Sequence, residues 1–555
     1  MAGVMHTTQH DRPETNVRVG RRALLVYPEF PEDSYLNFGP MHRLLMPLNR
    51  HGFPKTMMPP LGLICILGPI RERYGQDRVR LIDMNIQPLR REDLEWADDV
   101  YIGGMLTQCV SYDMVASQAK ALGKTTIGGG PYADADHEHL DHVFINESEY
   151  TLGPFLDDLF AGVAQRVYEG RRPEPEDFFH PDFSALELSN YSSMAIQFSR
   201  GCPHDCEFCD ITSRFGRKMR TRDVSVFLEE LDDLYALGWR GQVFIIDDNF
   251  IGKPAAAQEL LEALTEWQKS RGYPFEFFTQ ATVLLAEPRN DALLRAFAPA
   301  GFSMIFLGIE SPNEESLAET NKLHNLRPGS TLVEKLHRIQ EVGEILILGG
   351  FVLGFDNDKI DIFDRQIEFI QEIRLPTPTI AMLSPLPETK LEKRLKEESR
   401  IVGKVASGHD VTFVPKNLTA HELLAGYKKV LKAVYTDMDG FYARCLGSLK
   451  CVRAPRRLFN EGEFLAVFRL LYHEGVRGQR RWAFWKYFGR MVLQHPTKLP
   501  YGLRWAAYGM HYRLLTERLT APVADPVPAM PPVVDQGSVL PPAIDQRPAA
   551  TEVVA

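Results

Sequence analysis

Three cysteines sit close together in Ser199-Arg-Gly-Cys202-Pro-His-Asp-Cys206-Glu-Phe-Cys209-Asp210, a Cys-x3-Cys-x2-Cys spacing. A loop that short can wrap three thiolates around one inorganic centre. Several chemistries compete for such a set. A disulfide would leave one of the three unpaired and is rare in a reducing compartment. A structural zinc site takes four ligands. His204 could serve as the fourth, but no second Cys/His pair follows at zinc-ribbon spacing. An iron–sulfur cluster ordinarily takes four cysteines. With three, one iron keeps an open position, which can bind a substrate or cofactor directly. The spacing favours the cluster, and a zinc-stabilised binding protein is the alternative from a different class. The remaining four of seven cysteines, Cys65, Cys109, Cys445 and Cys451, are isolated and read as small buried hydrophobes.

The elements that must carry this loop alternate in type. Apolar runs at 194–198, 242–246, 275–279, 304–307, 345–348 and 379–383 have strand length, and 224–237 has helical spacing that stops at Gly238. Strands alternating with helices imply βα units and a parallel sheet. Six units fit a partial (β/α)6 barrel. In such barrels the site lies at the C-terminal ends of the strands, where Asp247, Asp248, Gln280, Glu310 and Ser384 stand. The competing reading of each is a helix N-cap or a turn, which Asp and Ser favour.

The preceding stretch repeats the α/β pattern. Strand-like runs at 22–27, 78–82, 99–102, 125–127 and 143–145 end at Pro28, Asp83, Gly103-Gly104, Gly128-Gly-Gly130 and Asn146-Glu-Ser-Glu149. Met58-Pro-Pro-Leu-Gly-Leu63 is expected to open a helix with proline in its first turn. This is a doubly wound, Rossmann-like pattern, whose ligand site lies outside the carboxyl ends of the strands. No Gly-x-Gly-x-x-Gly opens the first helix, so a dinucleotide is not supported.

From about 401 to 519 the pattern is mostly helical. Residues 471–520 carry nine Lys/Arg against two Glu, and 481–490 interleaves aromatic residues with positive charge. That suits a helix in the interface of an anionic membrane, or a helix packed on the barrel with a solvated basic face. The net charge of −10 argues against nucleic acid as a partner. With 44% hydrophobic and 25% charged residues, whole-chain disorder is excluded. No signal-type apolar region stands in 1–20 and no apolar run spans a bilayer, so a cytoplasmic location is expected. The stretch 521–555, with eight prolines, reads as a disordered tail.

With Phe208 in the aromatic place, the cysteine motif resembles the Cys-x3-Cys-x-aromatic-Cys signature of the radical S-adenosylmethionine (SAM) superfamily. The resemblance implies a [4Fe–4S] cluster on Cys202, Cys206 and Cys209. SAM would bind the open iron and be cleaved by one electron to methionine and a 5′-deoxyadenosyl radical. SAM contacts are implied at Phe208, Asp247, Gln280, Glu310 and Gly350, with Asp247-Asp-Asn249 standing in place of the family's usual Gly-Gly-Glu. The N-terminal domain looks like the cobalamin-binding domain of the cobalamin-dependent radical SAM group. The matching pieces are Pro59-Pro-Leu-Gly62, Gly129-Gly-Pro131 and Asn146-Glu-Ser-Glu149. Thr107, Gly129, Gly130 and Glu147 are the implied cobalamin contacts. Where many cobalamin domains carry Asp-x-His-x-x-Gly, this chain has Asp83-Met-Asn85-Ile-Gln-Pro88, so no histidine of this segment would ligate cobalt.

The domain order resembles the branch that contains hopanoid C-2 methylases and bacteriochlorophyll side-chain methyltransferases. Shared pieces are the cysteine motif, Ile246-Asp-Asp-Asn-Phe-Ile-Gly252 and Gly308-Ile-Glu-Ser311. The implied function is a cobalamin-dependent radical SAM methyltransferase acting at an unactivated carbon of an apolar substrate, an isoprenoid lipid or a tetrapyrrole-like molecule. A reductant such as flavodoxin or ferredoxin is the implied partner, with peripheral contact at the inner face of the membrane. A second enzymatic reading keeps the same cofactors but forms or rearranges rings without methyl transfer. The implied organisation is a cobalamin domain at 21–175, a radical SAM barrel at 190–400 and a helical region at 401–520, with disordered ends at 1–20 and 521–555.

Overall fold

The computed structural model describes residues 20–521 except 38, 40, 42–44, 46–54, 404–407 and 457–460, and gives no side-chain surroundings for 461–463. The ends read as disordered lie outside the described residues but for Gly20 and Ala521.

Six parallel strands form the N-terminal sheet: β1 (Ala23–Tyr27), β2 (Val79–Asp83), β3 (Asp99–Gly103), β4 (Thr125–Gly129), β5 (His142–Ile145) and β6 (Val167–Glu169). Their spatial order is β2-β1-β3-β4-β5-β6. Alternate residues of β1 enter different cores. Ala23 and Leu25 pack with Leu67, Tyr101 and Phe155, while Leu24 and Val26 pack with Ile102, Tyr112 and Val115. Both faces are covered, which is why β1 reads as a continuous apolar run rather than an alternating one. The helix Leu61–Tyr74 starts just after Pro60, so neither Pro59 nor Pro60 lies in its first turn as expected. Strand β6 has three residues, too short to carry a period.

The second sheet is the half-barrel. It contains β7 (Ser193–Ile196), β10 (Gln242–Ile245), β11 (Glu276–Ala281), β12 (Phe302–Glu310), β13 (Leu346–Leu353) and β14 (Thr379–Met382), all parallel and neighbours in chain order. Between β7 and β10, two-residue strands β8 (Ser199–Arg200) and β9 (Arg220–Thr221) pair antiparallel and clasp the base of the cysteine loop. The phenyl rings of Phe244 and Phe278, register partners on β10 and β11, stack at 4.4 Å.

After the half-barrel come helices Ala420–Tyr435, Met438–Leu449, Glu461–Leu470 continuing as a π-helical segment Leu471–Arg477, Arg481–Gln494 and Leu499–Thr520. Their buried residues, among them Tyr427, Phe441, Tyr487 and Trp505, belong to the same hydrophobic core as the half-barrel strands. The helical region is thus packed on the barrel.

Candidate active site

The cysteine loop is held from below by the residues that end β10. Asp247 is fully buried, and its carboxylate accepts Phe198 N–H (2.8 Å), Ser199 N–H (2.9 Å) and the Ser199 hydroxyl (2.6 Å). Asp248 accepts Gly201 N–H at 2.8 Å, and the Asn249 amide reaches Cys202 Sγ at 3.8 Å. The Asp-Asp-Asn run therefore fixes the start of the loop. Burial raises the Asp247 carboxyl to about 7 and that of Asp248 to about 6. Gly201 is the hinge: its φ is +97°, and a Cβ there would lie 2.7 Å from the Lys218 carbonyl. Asp247 was expected among the SAM contacts. The structure places it behind the loop, where its carboxylate accepts three hydrogen bonds from the backbone and hydroxyl it braces.

Cys202, Cys206 and Cys209 carry free thiols. Burial pushes all three upward, Cys209 to about 12, while backbone N–H groups of His204 and Ile211 donate to Cys202 and Cys209. Among the described residues, no group of three Cys, His, Asp or Glu side chains converges as for a single metal ion. A four-iron cluster is held differently, each thiolate on its own iron. Three thiols on one clasped loop, Cys206 buried and the other two half-buried, with amide donors to two of them, match that donor set. Metal must supply the deprotonation that burial opposes.

A cation faces the loop. The buried Lys322 ammonium pairs with Glu310 at 2.6 Å, lies 5.7 Å from the Phe208 ring, and its charge favours the thiolate form of each cysteine. Glu310 sits at φ +66° at the end of β12. A Cβ on Gly308 would lie 2.4 Å from Glu310 Oε1, so glycine there lets the carboxylate fold back to Lys322. Gln280, at the end of β11, is half-buried, and its side chain makes no hydrogen bond among the described residues. A Cβ on Gly350 would meet the Phe306 ring at 2.9 Å. Phe208 packs edge-on to Phe355 at 6.0 Å. Of the expected SAM contacts, Gln280 is thus free to bind a ligand, while Glu310 is already committed to Lys322. Lys322 was missed in the sequence because it lies within a loop, twelve residues past Glu310, with no periodic signal.

The carboxyl ends of the N-terminal sheet turn toward this loop. Arg214, just past the cysteines, donates to the Pro131 carbonyl at 3.2 Å. The Tyr191 hydroxyl donates to Asp83 at 3.2 Å. Glu147 is 6% exposed and holds Arg200 and Arg220 at 2.7 Å each, and Arg200 also pairs with Glu149 at 2.6 Å. These two arginines are the β8–β9 clasp. Glu147 was expected to touch cobalamin. Both of its oxygens are engaged by guanidinium groups, so it joins the two sheets instead.

The other implied cobalamin contacts stay at the strand ends. Gly130 has φ +88°, and a Cβ there would lie 2.6 Å from the Gly104 carbonyl, so two glycine turns touch backbone to backbone. A Cβ on Gly129 would meet nothing nearer than 3.8 Å. Thr107 Oγ1 is buried with no hydrogen-bond partner, and Met105 and Val110 beside it are exposed. An orphaned hydroxyl among exposed apolar side chains suits a large, mostly apolar ring system with polar edges. Asn85 is occupied elsewhere: its side chain donates to Pro28 O and Asp83 and accepts Phe30 N–H.

Known proteins place this arrangement. Residues 196–370 match the radical SAM superfamily, and residues 389–523 match a domain of unknown function. The chain is 34% identical over 509 residues to an uncharacterized methyltransferase of Synechocystis, covering 88% of this chain and 91% of that protein. It is 29% identical over 504 residues to the hopanoid C-2 methylase of Rhodopseudomonas palustris, covering 86% and 90%. Its fold resembles that of TsrM from Kitasatospora setae, a radical SAM methyltransferase solved with cobalamin and a [4Fe–4S] cluster. The TM-score is 0.55 at 12% identity, with 90% of this chain and all of that one covered. The chain belongs to the radical SAM superfamily, in the family of the Synechocystis protein.

Proposed function

We propose that this protein is a cobalamin-dependent radical SAM methyltransferase that methylates an unactivated carbon of an apolar substrate. The observation that carries the reading is the apposition of the cysteine loop with the glycine-rich strand ends through Arg214–Pro131 and the Glu147 pairs. The domain limits are those of the sequence reading: cofactor domain 21–175, barrel 190–400, helical region 401–520. When bound, the cluster supplies the electron that splits SAM and cobalamin supplies a methyl carrier.

The chain's own residues position and enclose these groups. Cys202, Cys206 and Cys209 ligate three irons. Lys322 offsets the negative charge of the thiolates. Gln280, Gly350 and Phe208 line the SAM side, and Glu310 bears on it through Lys322. Gly129, Gly130 and Thr107 receive the cobalamin edge, and Asn85, tied to backbone, contributes no ligand to cobalt. The joint between the sheets closes one side of the space between them.

A small electron-carrier protein such as flavodoxin or ferredoxin would deliver the electron. Relatives named for hopanoids favour an isoprenoid-type lipid over a tetrapyrrole as the substrate. Among the described residues, no helix is long and apolar enough to cross a membrane, and contact with a bilayer would be peripheral.

The test is anaerobic reconstitution with iron and sulfide, with and without cobalamin, followed by mass analysis of products from candidate lipids. Cluster and cobalamin absorption together with a gain of one methylene support the reading. SAM cleavage with an unchanged substrate mass favours rearrangement. Absence of a cluster rejects both.

A further inference from the structure

Of the seventeen exposed large hydrophobic residues among those described, nine fall between 464 and 493. Phe464, Phe468, Tyr472 and Val476 recur every fourth residue along the outer side of the helix that runs 461–477. Trp482 is 77% and Leu493 84% exposed on the next helix. The two helices pack together, with the Trp485 indole donating to the Gly475 carbonyl at 2.8 Å. Arg477, Arg480, Arg481 and Arg490 are exposed here. None of these four makes an ion pair among the described residues, in a chain whose net charge is −10. Apolar stripes edged by unpaired cations are the pattern of helices that lie in a bilayer interface. A second copy seated on this face would bring the same cations together, so self-association does not account for it.

Directly behind the face is a cavity of about 340 Å³, of ligand-binding size. Ala466, Val467 and Leu470, on the inner side of the helix that carries Phe464 and Phe468, form one wall. Gln242 and Glu276, the first residues of β10 and β11, form the other. The cavity therefore sits at the end of the strands opposite the cysteine loop. Gln242 Nε2 there is buried without a partner, a donor waiting for one polar group.

We propose that helices 461–477 and 481–494 dock on an anionic phospholipid bilayer, and that the cavity behind them takes up the apolar body of a lipid from it. The proposal rests on the reading of the substrate as a lipid and adds where the chain takes that lipid up.

The test uses the full chain loaded with cluster and cobalamin, with SAM withheld, so it reads docking and uptake rather than methyl transfer. Co-sedimentation compares phosphatidylcholine vesicles with equimolar phosphatidylglycerol–phosphatidylcholine vesicles. Binding is expected to the anionic vesicles alone and to weaken as salt is added. R480E with R481E is expected to lower partition at least tenfold, each basic residue lost being worth roughly fivefold. W482S with L493S is expected to lower it by a similar factor. Equal binding to both vesicle types overturns the docking face. So does binding to neither, even where an acidic soluble protein binds in their place.

Uptake is read by energy transfer from Trp239, which lines the cavity, to a pyrene-labelled alkyl lipid carried in the vesicles, with W239F as the control. A466F and, independently, A507F are expected to abolish the part of the transfer that W239F removes, leaving vesicle binding and the transfer from Trp482 and Trp485 unchanged. Trp239-dependent transfer that survives both fillings overturns the cavity as the acceptor. Docking and uptake without any methyl transfer would leave this inference standing and sink the proposed activity.

Discussion

The two parallel sheets handle their strand ends in different ways. The N-terminal sheet is covered on both faces, so a ligand can meet it only at the carboxyl edge, and there it offers mostly backbone: Gly103, Gly104, Gly129 and Gly130. The half-barrel offers charged and polar side chains at the same edge, Asp248, Asn249, Gln280, Glu310 and the nearby Lys322. Its charged groups are already engaged, Glu310 by Lys322 and Asp248 by the Gly201 N–H. A bare glycine edge selects by shape and close approach, whereas a charged edge fixes the electrostatics of what it holds. The difference assigns shape recognition to the first sheet and control of charge to the second.

The strongest way to break this contrast is at the cysteines. Cys202→Ala is expected to abolish the cluster absorption and all SAM cleavage while leaving cobalamin binding unchanged, because the N-terminal edge contributes none of the iron ligands. Loss of both cofactors together would show that the two edges are not separable.

Next in size is the joint. Replacing Glu147 by alanine leaves Arg220, 4% exposed at its side chain, without its carboxylate partner. A buried charge so stranded destabilises by about 3–5 kcal/mol. Chemical denaturation should read that loss, and the N-terminal unit should become a site of proteolysis. A change below about 1 kcal/mol would mean that water reaches the pair.

Gly130→Ala is expected to destabilise by about 1–3 kcal/mol, since it forces a side chain into a left-handed turn against the Gly104 carbonyl. Cobalamin retention should fall and cluster content should not. Gly129→Ala, where space is open, is the control for stability and should affect only the ligand.

The smallest effect sharpens the comparison most. Thr107→Val removes a buried hydroxyl that has no partner. Without cobalamin the variant should unfold at the same or a higher temperature, by up to about 1 kcal/mol in stability. With cobalamin it should bind about tenfold more weakly. Weaker stability without cobalamin would show that the hydroxyl has a partner in the protein itself.

How much of this was legible in the sequence varied with the range of the interaction. The half-barrel strands were readable because each is a compact apolar run ending in a polar or glycine residue. Helix 224–236 was readable from its spacing and stop. The cysteine motif was readable because its members lie within eight residues. Strands β6, β8 and β9 were not, since two or three residues carry no periodicity. Asp247 and Glu147 were placed at the right ends of the right strands, but their protein partners were not foreseen. Whether a carboxylate faces a ligand or a guanidinium depends on residues about fifty positions away, such as Ser199 and Arg200. The basic aromatic run at 481–490 was visible, while the apolar stripe at 464–476 gained meaning only once its outer side was seen to be uncovered.

The Glu147 joint also bears on time. Its carboxylate and the two guanidinium groups can part only if water replaces each of them, so the joint opens as a unit rather than bond by bond. A large guest held between the sheets would leave during such an opening. Its residence would then follow how often the joint opens as well as its own contacts.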